Sequence, residues 1–212
     1  WYKIDGQFNY RLYTWKLTWH NFSNLTIMKN LLYLFSLIFL PGILFSQSSF
    51  DLEKSKIKWT GKKITTESHW GSLYFSEANL FFDGSDLIKG KFIVDMNSMT
   101  VDDIQGRGKE RLENHLRNDD FFGVSNYKEA ILEFDSKSEL SNGEYSIDAN
   151  LTIKGITNSV VFKLKPKGDS YTANLIFDRT KFNVNYRSGN FFENLGDRLI
   201  LDEVELAVTL VK

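Results

Sequence analysis

Tyr145-Ser146-Ile147-Asp148-Ala149-Asn150-Leu151-Thr152-Ile153-Lys154 alternates, residue by residue, between apolar and polar side chains. Successive side chains of a β-strand point to opposite faces, so this period of two gathers Tyr145, Ile147, Ala149, Leu151 and Ile153 on one dry face. Gly155 marks a turn. Beyond it Val160, Phe162 and Leu164 alternate with Val161, Lys163 and Lys165. The same period runs through Tyr171, Ala173, Leu175 and Phe177, and again through Val204, Leu206, Val208 and Leu210. Strands with one apolar face each describe an antiparallel sheet wrapped over a single interior.

The N-terminal half continues the pattern less cleanly. Ile57 and Trp59 sit between Lys56, Lys58 and Thr60, and His69 and Gly71 share a face with Leu73 and Phe75. Ala78, Leu80 and Phe82 run up to an Asp83-Gly84 turn, followed by Phe92, Val94 and Met96, and later by Ala130, Leu132 and Phe134. Asn142-Gly143 and Lys167-Gly168-Asp169 are further turns. The fold class expected is all-β, an extended antiparallel β-barrel of about eight strands, near the number that closes around one small ligand. One stretch, Gly106 to Asn118, breaks the alternation and reads as a single inserted amphipathic α-helix. Leu112 and Leu116 lie four apart on it, Lys109, Glu110, Arg111, Glu113 and Arg117 occupy other faces, and Phe121 and Phe122 follow. Placed between two strands, it is positioned to cover one barrel end.

The first 46 residues read differently. Met28 and Lys29 precede an apolar run from Leu31 to Phe45, interrupted by Ser36 and Pro41-Gly42 and followed by Ser46, Gln47, Ser48 and Ser49. A basic start, an apolar core too short to span a bilayer and small residues at its exit describe a secretory signal peptide over 28–46. Residues 1–27 then read as translation from an upstream start, and 47–212 as the mature domain. That domain carries 22 Lys+Arg against 26 Asp+Glu, interspersed, which gives no electrostatic footprint for nucleic acid. Cysteine is absent, which excludes disulfides, thiol catalysis and thiolate metal sites.

Candidate chemistry is sparse. His69 and His115 stand alone in their segments, without the spacing of a zinc site, and no metal is expected. No GxSxG elbow is present. Gly106-Arg107-Gly108 reads as a flexible helix entrance rather than a phosphate loop. Asp102-Asp103 and Asp119-Asp120 flank the helix and read as end charges and caps. Alternation turns His69 inward, either as a core histidine satisfied by a backbone carbonyl or water, or as a contact to a ligand headgroup. Arg179 and Arg187 read as surface groups near the barrel mouth.

Taken in order, several segments resemble the YceI-like family. They are Trp59-Thr60-Gly61-Lys62-Lys63, His69-Trp70-Gly71-Ser72-Leu73, Gly90 to Met99, Lys109 to Leu116, Asp119-Asp120-Phe121-Phe122-Gly123-Val124, Ala149 to Thr157 and Asp178-Arg179-Thr180-Lys181-Phe182. Glu129 stands where the family pattern often has Pro. The resemblance implies a lipocalin-like barrel exported to the periplasm or secreted, with an isoprenoid-type lipid or quinone threaded through it and no other cofactor.

The function expected is therefore binding, sequestration or transport of a long apolar lipid, by a protein that is not an enzyme. Its ligand-binding residues would be Trp59, His69, Leu73, Phe92, Leu132, Leu151, Phe162, Phe177 and Leu206. Small inward residues, Gly71, Ala78, Ala130, Ala149 and Ala173, would leave room, and an unfilled void there loses packing contacts. The partner is the apolar lipid, with a transient membrane contact compatible with loading and the oligomeric state open. The alternatives are a structural or interaction barrel filled by its own side chains, and a lipid-modifying enzyme, for which no nucleophile–base pair is visible. The leader has a direct check. Intact mass of protein exported from its native host should correspond to a chain starting near Gln47, and retention of 1–27 or 28–46 would contradict the assignment.

Overall fold

The computed structural model describes residues 46–212; the expectations for 1–27 and, apart from Ser46, for 28–46 lie outside the described residues. Nine strands and one α-helix follow in chain order: β1 (Ser46–Ser49), β2 (Lys56–Lys63), β3 (Ser68–Asp83), β4 (Asp86–Asp95), α1 (Arg107–Arg117), β5 (Glu129–Phe134), β6 (Tyr145–Ile153), β7 (Ile156–Lys167), β8 (Ser170–Asp178) and β9 (Ile200–Val211). Eight of the strands close in the order β3-β2-β9-β8-β7-β6-β5-β4, with β4 pairing back onto β3, and every pair is antiparallel. Closure leaves the ring without a free edge. The apolar faces read from the alternation turn inward: Tyr145, Ile147, Ala149, Leu151 and Ile153 of β6 are all buried.

β3 is the long seam of the barrel, and each of its edges has two partners placed end to end. Along one edge, β2 pairs with Ser68–Tyr74 and β1 with Asn79–Phe82. Along the other, β4 covers Tyr74–Asp83. The segment Met99–Asp103 continues that line, with Thr100 N–H donating to Ser72 O (3.0 Å) and Asp102 N–H to Trp70 O (2.9 Å). A β-bulge divides β3, because Phe75 pairs with Val94 but Glu77 already pairs with Ile93. The extra residue shifts the side-chain phase. Leu73 and Phe75 face inward before it, and Ala78, Leu80 and Phe82 after it.

Gly71 lies opposite Trp59 in the β2–β3 register. The Trp59 indole N–H donates to Thr100 O at 3.0 Å. A Cβ on Gly71 would lie 1.7 Å from Thr100 O and 2.8 Å from Trp59 Nε1. This corrects the expectation that Gly71 widens the interior: its missing side chain is taken up by Thr100 and Trp59.

The two barrel ends differ. At the β3–β4 hairpin end Leu80 and Leu87 are completely buried. The Phe82 ring lies 6.2 Å from Tyr145 and 6.4 Å from Tyr171, and Phe50 meets Tyr171 edge-on at 5.8 Å. Tyr145 finishes the seal by donating its hydroxyl to Ser85 O (2.9 Å), the polar partner a buried phenol requires.

α1 accompanies the opposite end and is held by its polar face. Residues four apart on a helix share a stripe, and the stripe Lys109–Glu113–Arg117 grips the backbone of Met99–Val101. Glu113 Oε1 accepts from Val101 N–H (2.8 Å), Lys109 donates to Val101 O, and Arg117 donates to Met99 O. The carboxylate pairs expected to cap the helix do other work. The N-cap is Gly106, which has no side-chain cap. Asp102 instead accepts from Ser72 Oγ (2.6 Å), and Asp103 accepts from Trp70 N–H (3.1 Å). At the other end Asp119 accepts from Asn126 Nδ2 (3.3 Å) and Asp120 lies 3.7 Å from His115 Nδ1. A carboxylate gains nothing from a helix C-terminus, whose dipole is negative.

Gly71→Ala should lower stability by about 3 kcal/mol, the upper range for forcing an atom into a packed site, because Thr100 would have to withdraw. Denaturant titration followed by tryptophan fluorescence measures this, and an unchanged midpoint would mean that the Trp59–Thr100 contact is not a constraint.

Candidate binding cavity

A cavity of about 1280 Å³ occupies the α1 side of the barrel interior, larger than the roughly 300–1,000 Å³ of ordinary small-molecule pockets. All nine residues expected to line it do so, and together they draw on every strand of the closed ring. Trp59 comes from β2, His69 and Leu73 from β3, Phe92 from β4, Leu132 from β5, Leu151 from β6, Phe162 from β7, Phe177 from β8 and Leu206 from β9. The register explains the convergence. Phe92, Leu132 and Leu151 are successive cross-strand partners, as are Trp59, Leu206 and Leu175. Among the small residues Ala130 and Ala173 belong to the cavity wall. Ala78 and Ala149 are buried but lie outside that wall, a correction to their expected role.

The polar groups of the cavity are held by specific partners. His69 is half-buried, and its Nδ1 lies 2.7 Å from Asp103 Oδ2. It is therefore met by a carboxylate, a partner that was not anticipated. Burial opposes the Asp103 charge, but the hydrogen bonds from His69 and from the Trp70 and Asp103 N–H groups prevail and hold its carboxyl below the ordinary range. Glu113 follows the same pattern: burial works against its charge, and Val101 N–H, Lys109 and Arg117 outweigh it.

Arg179 departs furthest from expectation. Read as a surface group, it is only 1% exposed. Its guanidinium donates to Val184 O (2.6 Å), Ile200 O (3.0 Å) and Leu201 O (3.2 Å) and lies 3.1 Å from Asp202 Oδ1. Burial lowers its pKa, against the pull of Asp202 and Asp178. Asp178 in turn accepts from Thr180 N–H (2.9 Å) and Thr180 Oγ1 (2.6 Å), fixing the short 3₁₀ turn Arg179–Phe182. Arg179 thus fastens the loop before β9 to the barrel rim, and a buried cation needs such partners to be tolerated. Arg187 is half-buried at the cavity, with its guanidinium carbon 5.1 Å from the centre of the Tyr186 ring.

Two parts of the wall supply residues outside the expected lining set, although the helix was expected to cover a barrel end and Arg187 to sit near its mouth. One is the α1 surface carrying Arg107, Gly108, Arg111, Leu112 and His115. The other is the loop reaching from Tyr186 and Arg187 to Ile200 and Leu201. The i, i+4 spacing of Arg107, Arg111 and His115 was a usable signal for the first. The second has no sequence period. His115 stacks edge-on against Tyr186 (4.4 Å between ring centres) and Phe121 (5.5 Å), which joins the helix to the loop. Among the described residues no group of three or more His, Asp or Glu is placed to hold a metal ion. The wall is a continuous apolar surface with charged groups contributed by the strand ends, α1 and the loop. Such a wall can hold an extended apolar molecule.

Comparison with known proteins agrees with this architecture. The YceI-like domain matches residues 49–211. A UPF0312 protein of Shewanella denitrificans is 31% identical over 88 residues, 42% of this chain and 44% of the relative, so the match spans less than half of either protein. Among solved structures, Burkholderia cenocepacia BcnA superposes with a TM-score of 0.60 at 22% identity, covering 77% of this chain and 99% of BcnA. A domain of Saccharophagus degradans described as polyisoprenoid binding, and as implicated in plant cell wall breakdown, superposes with a TM-score of 0.52 at 14% identity, covering 79% of this chain and 97% of that one. At these identities the two structures speak for the fold.

The helix wall has a pH signature. Glu113 is held below its ordinary value, so its contribution is complete above the unfolded-state carboxylate range and is lost as pH falls through the depressed folded value. Glu113→Ala should cost about 1–3 kcal/mol at neutral pH by leaving Val101 N–H unpaired, and the deficit should shrink on acidification. Denaturant midpoints at neutral and acid pH test this; a deficit that does not depend on pH would contradict it.

Proposed function

The chain belongs to the YceI-like family, and from that premise we propose that it binds a long apolar lipid of the isoprenoid type in the α1-side cavity. The observation that carries the proposal is the division of the interior. One end is sealed by Phe50, Phe82, Tyr145 and Tyr171, while the other retains about 1280 Å³ behind an apolar wall. A barrel serving only as a structural or interaction module has no need of that space, since close packing would stabilise it further. Each methylene buried contributes about 0.8 kcal/mol, so a long chain is held without many hydrogen bonds. The description of the Saccharophagus degradans neighbour as polyisoprenoid binding supports the same class of ligand.

The protein acts in this reading as a carrier or store rather than an enzyme. Three carboxylates around the cavity are engaged, Asp103 with His69, Glu113 with the Val101 backbone, and Asp202 with Arg179 and Ser188, and the one in its lining, Glu110, has no histidine or hydroxyl partner among the described residues. Its place of work would be the periplasm or the exterior, as the signal-peptide reading of 28–46 implies, with a quinone as one candidate cargo.

Organic extraction of protein purified from its native host, followed by mass spectrometry, should yield about one long-chain apolar lipid per chain. Ala173 lines the cavity, and Ala173→Trp should abolish the lipid while leaving the unfolding midpoint nearly unchanged, because the ring enters existing space. Lipid-free protein together with an unfolded Ala173→Trp variant would show a solid core and overturn the reading.

A further inference from the structure

Six lysines and arginines line the cavity, Lys62, Lys63, Arg107, Arg111, Arg179 and Arg187, against one carboxylate, Glu110. Three of the six are paired: Lys62 with Glu205, Lys63 with Glu67 (2.6 Å) and Arg179 with Asp202 (3.1 Å). Arg107, Arg111 and Arg187 have no ion pair among the described residues. The cavity lining carries this positive excess although the domain as a whole carries more acidic than basic residues. It therefore cannot be a consequence of composition.

The unpaired cations are also brought together. Arg107 and Arg111 stand four apart on α1, and the next position of that stripe is His115, so the three share one helix edge. The His115 ring lies 4.4 Å from the Tyr186 ring, and the Arg187 guanidinium lies over the other partner of that contact, 5.1 Å from the Tyr186 centre. The helix edge and the loop thus meet at Tyr186. At this junction His115 Nε2 is buried and has no hydrogen-bond partner among the described residues. A buried polar nitrogen without a partner is uncommon and asks for one. The threefold anchoring of α1 through Lys109, Glu113 and Arg117 holds the stripe in register with the cavity.

We propose that Arg107, Arg111, Arg187 and His115 form the polar end of the binding site and receive an anionic headgroup, a carboxylate or a phosphate, on the apolar chain. This rests on the lipid-binding reading and makes it more specific: among the apolar cargoes it selects an anionic amphiphile over a neutral lipid such as a quinone. Guanidinium groups suit the task because their planar donors match the oxygens of both anions. The apolar tail runs from this junction toward Phe134, Leu164 and Leu210, the cavity residues nearest the sealed end.

The test uses the delipidated full chain and three probes with the same sixteen-carbon chain: hexadecanol, hexadecanoate and hexadecyl phosphate. Affinities are measured by calorimetric titration at neutral pH and low salt. At least one anionic probe should bind about tenfold or more tighter than the alcohol, as expected for charge-assisted hydrogen bonds, and the preference should shrink as salt is raised. Which anion gains more distinguishes a carboxylate-bearing from a phosphate-bearing cargo. Arg107→Ala/Arg111→Ala and Arg187→Ala should each reduce the ratio of anion to alcohol affinity, whereas Lys167→Ala, in the β7–β8 hairpin at the far end, should keep it. Equal binding of all three probes, or a ratio the arginine variants do not move, overturns the anionic headgroup and leaves lipid binding standing. Binding of none of the three overturns both.

Discussion

The backbone of Met99–Asp103 is the point on which the rest of the structure depends. Val101 is completely buried and Met99 nearly so, yet the segment belongs to no regular strand. Buried N–H and C=O groups need partners, and here they come from both sides. β3 supplies Ser72 O and Trp70 O, the Trp59 indole takes Thr100 O, and α1 reaches across with Lys109, Glu113 and Arg117. Satisfying one short stretch of chain therefore fixes the β2–β3 register at Gly71, completes the second edge of β3 and sets where α1 lies.

The position of α1 decides what the interior can be. A helix with only an apolar stripe would sink that stripe into the nearest hydrophobic space. Here the polar stripe is tied to Met99–Val101, so Leu112 contributes to the wall while the interior on this side stays open. At the opposite end nothing comparable holds side chains apart, and Phe50, Phe82, Tyr145 and Tyr171 close over one another. Both expectations raised by the sequence, a ligand-holding barrel and a self-filled one, thus describe part of the molecule.

Much of this was legible in the alternation. A period of two assigns each residue to a face; on β9 all four inward residues line the cavity, whereas on β6 only Leu151 and Ile153 do so and on β8 Ala173, Leu175 and Phe177. The nine residues expected to line the interior followed from that period. What escaped the reading depended on contacts between segments distant in the chain. The bulge at Ser76–Glu77 is visible only as a change of phase between Phe75 and Ala78, which from sequence alone looks like two strands. Asp102 and Asp103 sit where caps would sit, but their hydrogen-bonding partners are on β3. Arg179 has the composition of a surface residue, and its burial is set by three carbonyls and Asp202 on segments that follow it. Gly71 and Ala173 are both small and inward, but only the three-dimensional neighbours tell a filled notch from open space.

The central claim is that the barrel is hollow beside α1 and solid at the β3–β4 hairpin, and that the hollow part accepts an apolar chain. Anomalous diffraction from crystals of the protein soaked with a terminally brominated long-chain lipid tests it most directly. The account predicts bromine density inside the barrel among Trp59, Phe92, Leu151 and Phe177 or deeper toward Leu164, and none between Phe82, Tyr145 and Tyr171. Bromine found only on the outer surface, or lodged between those three rings, would contradict it.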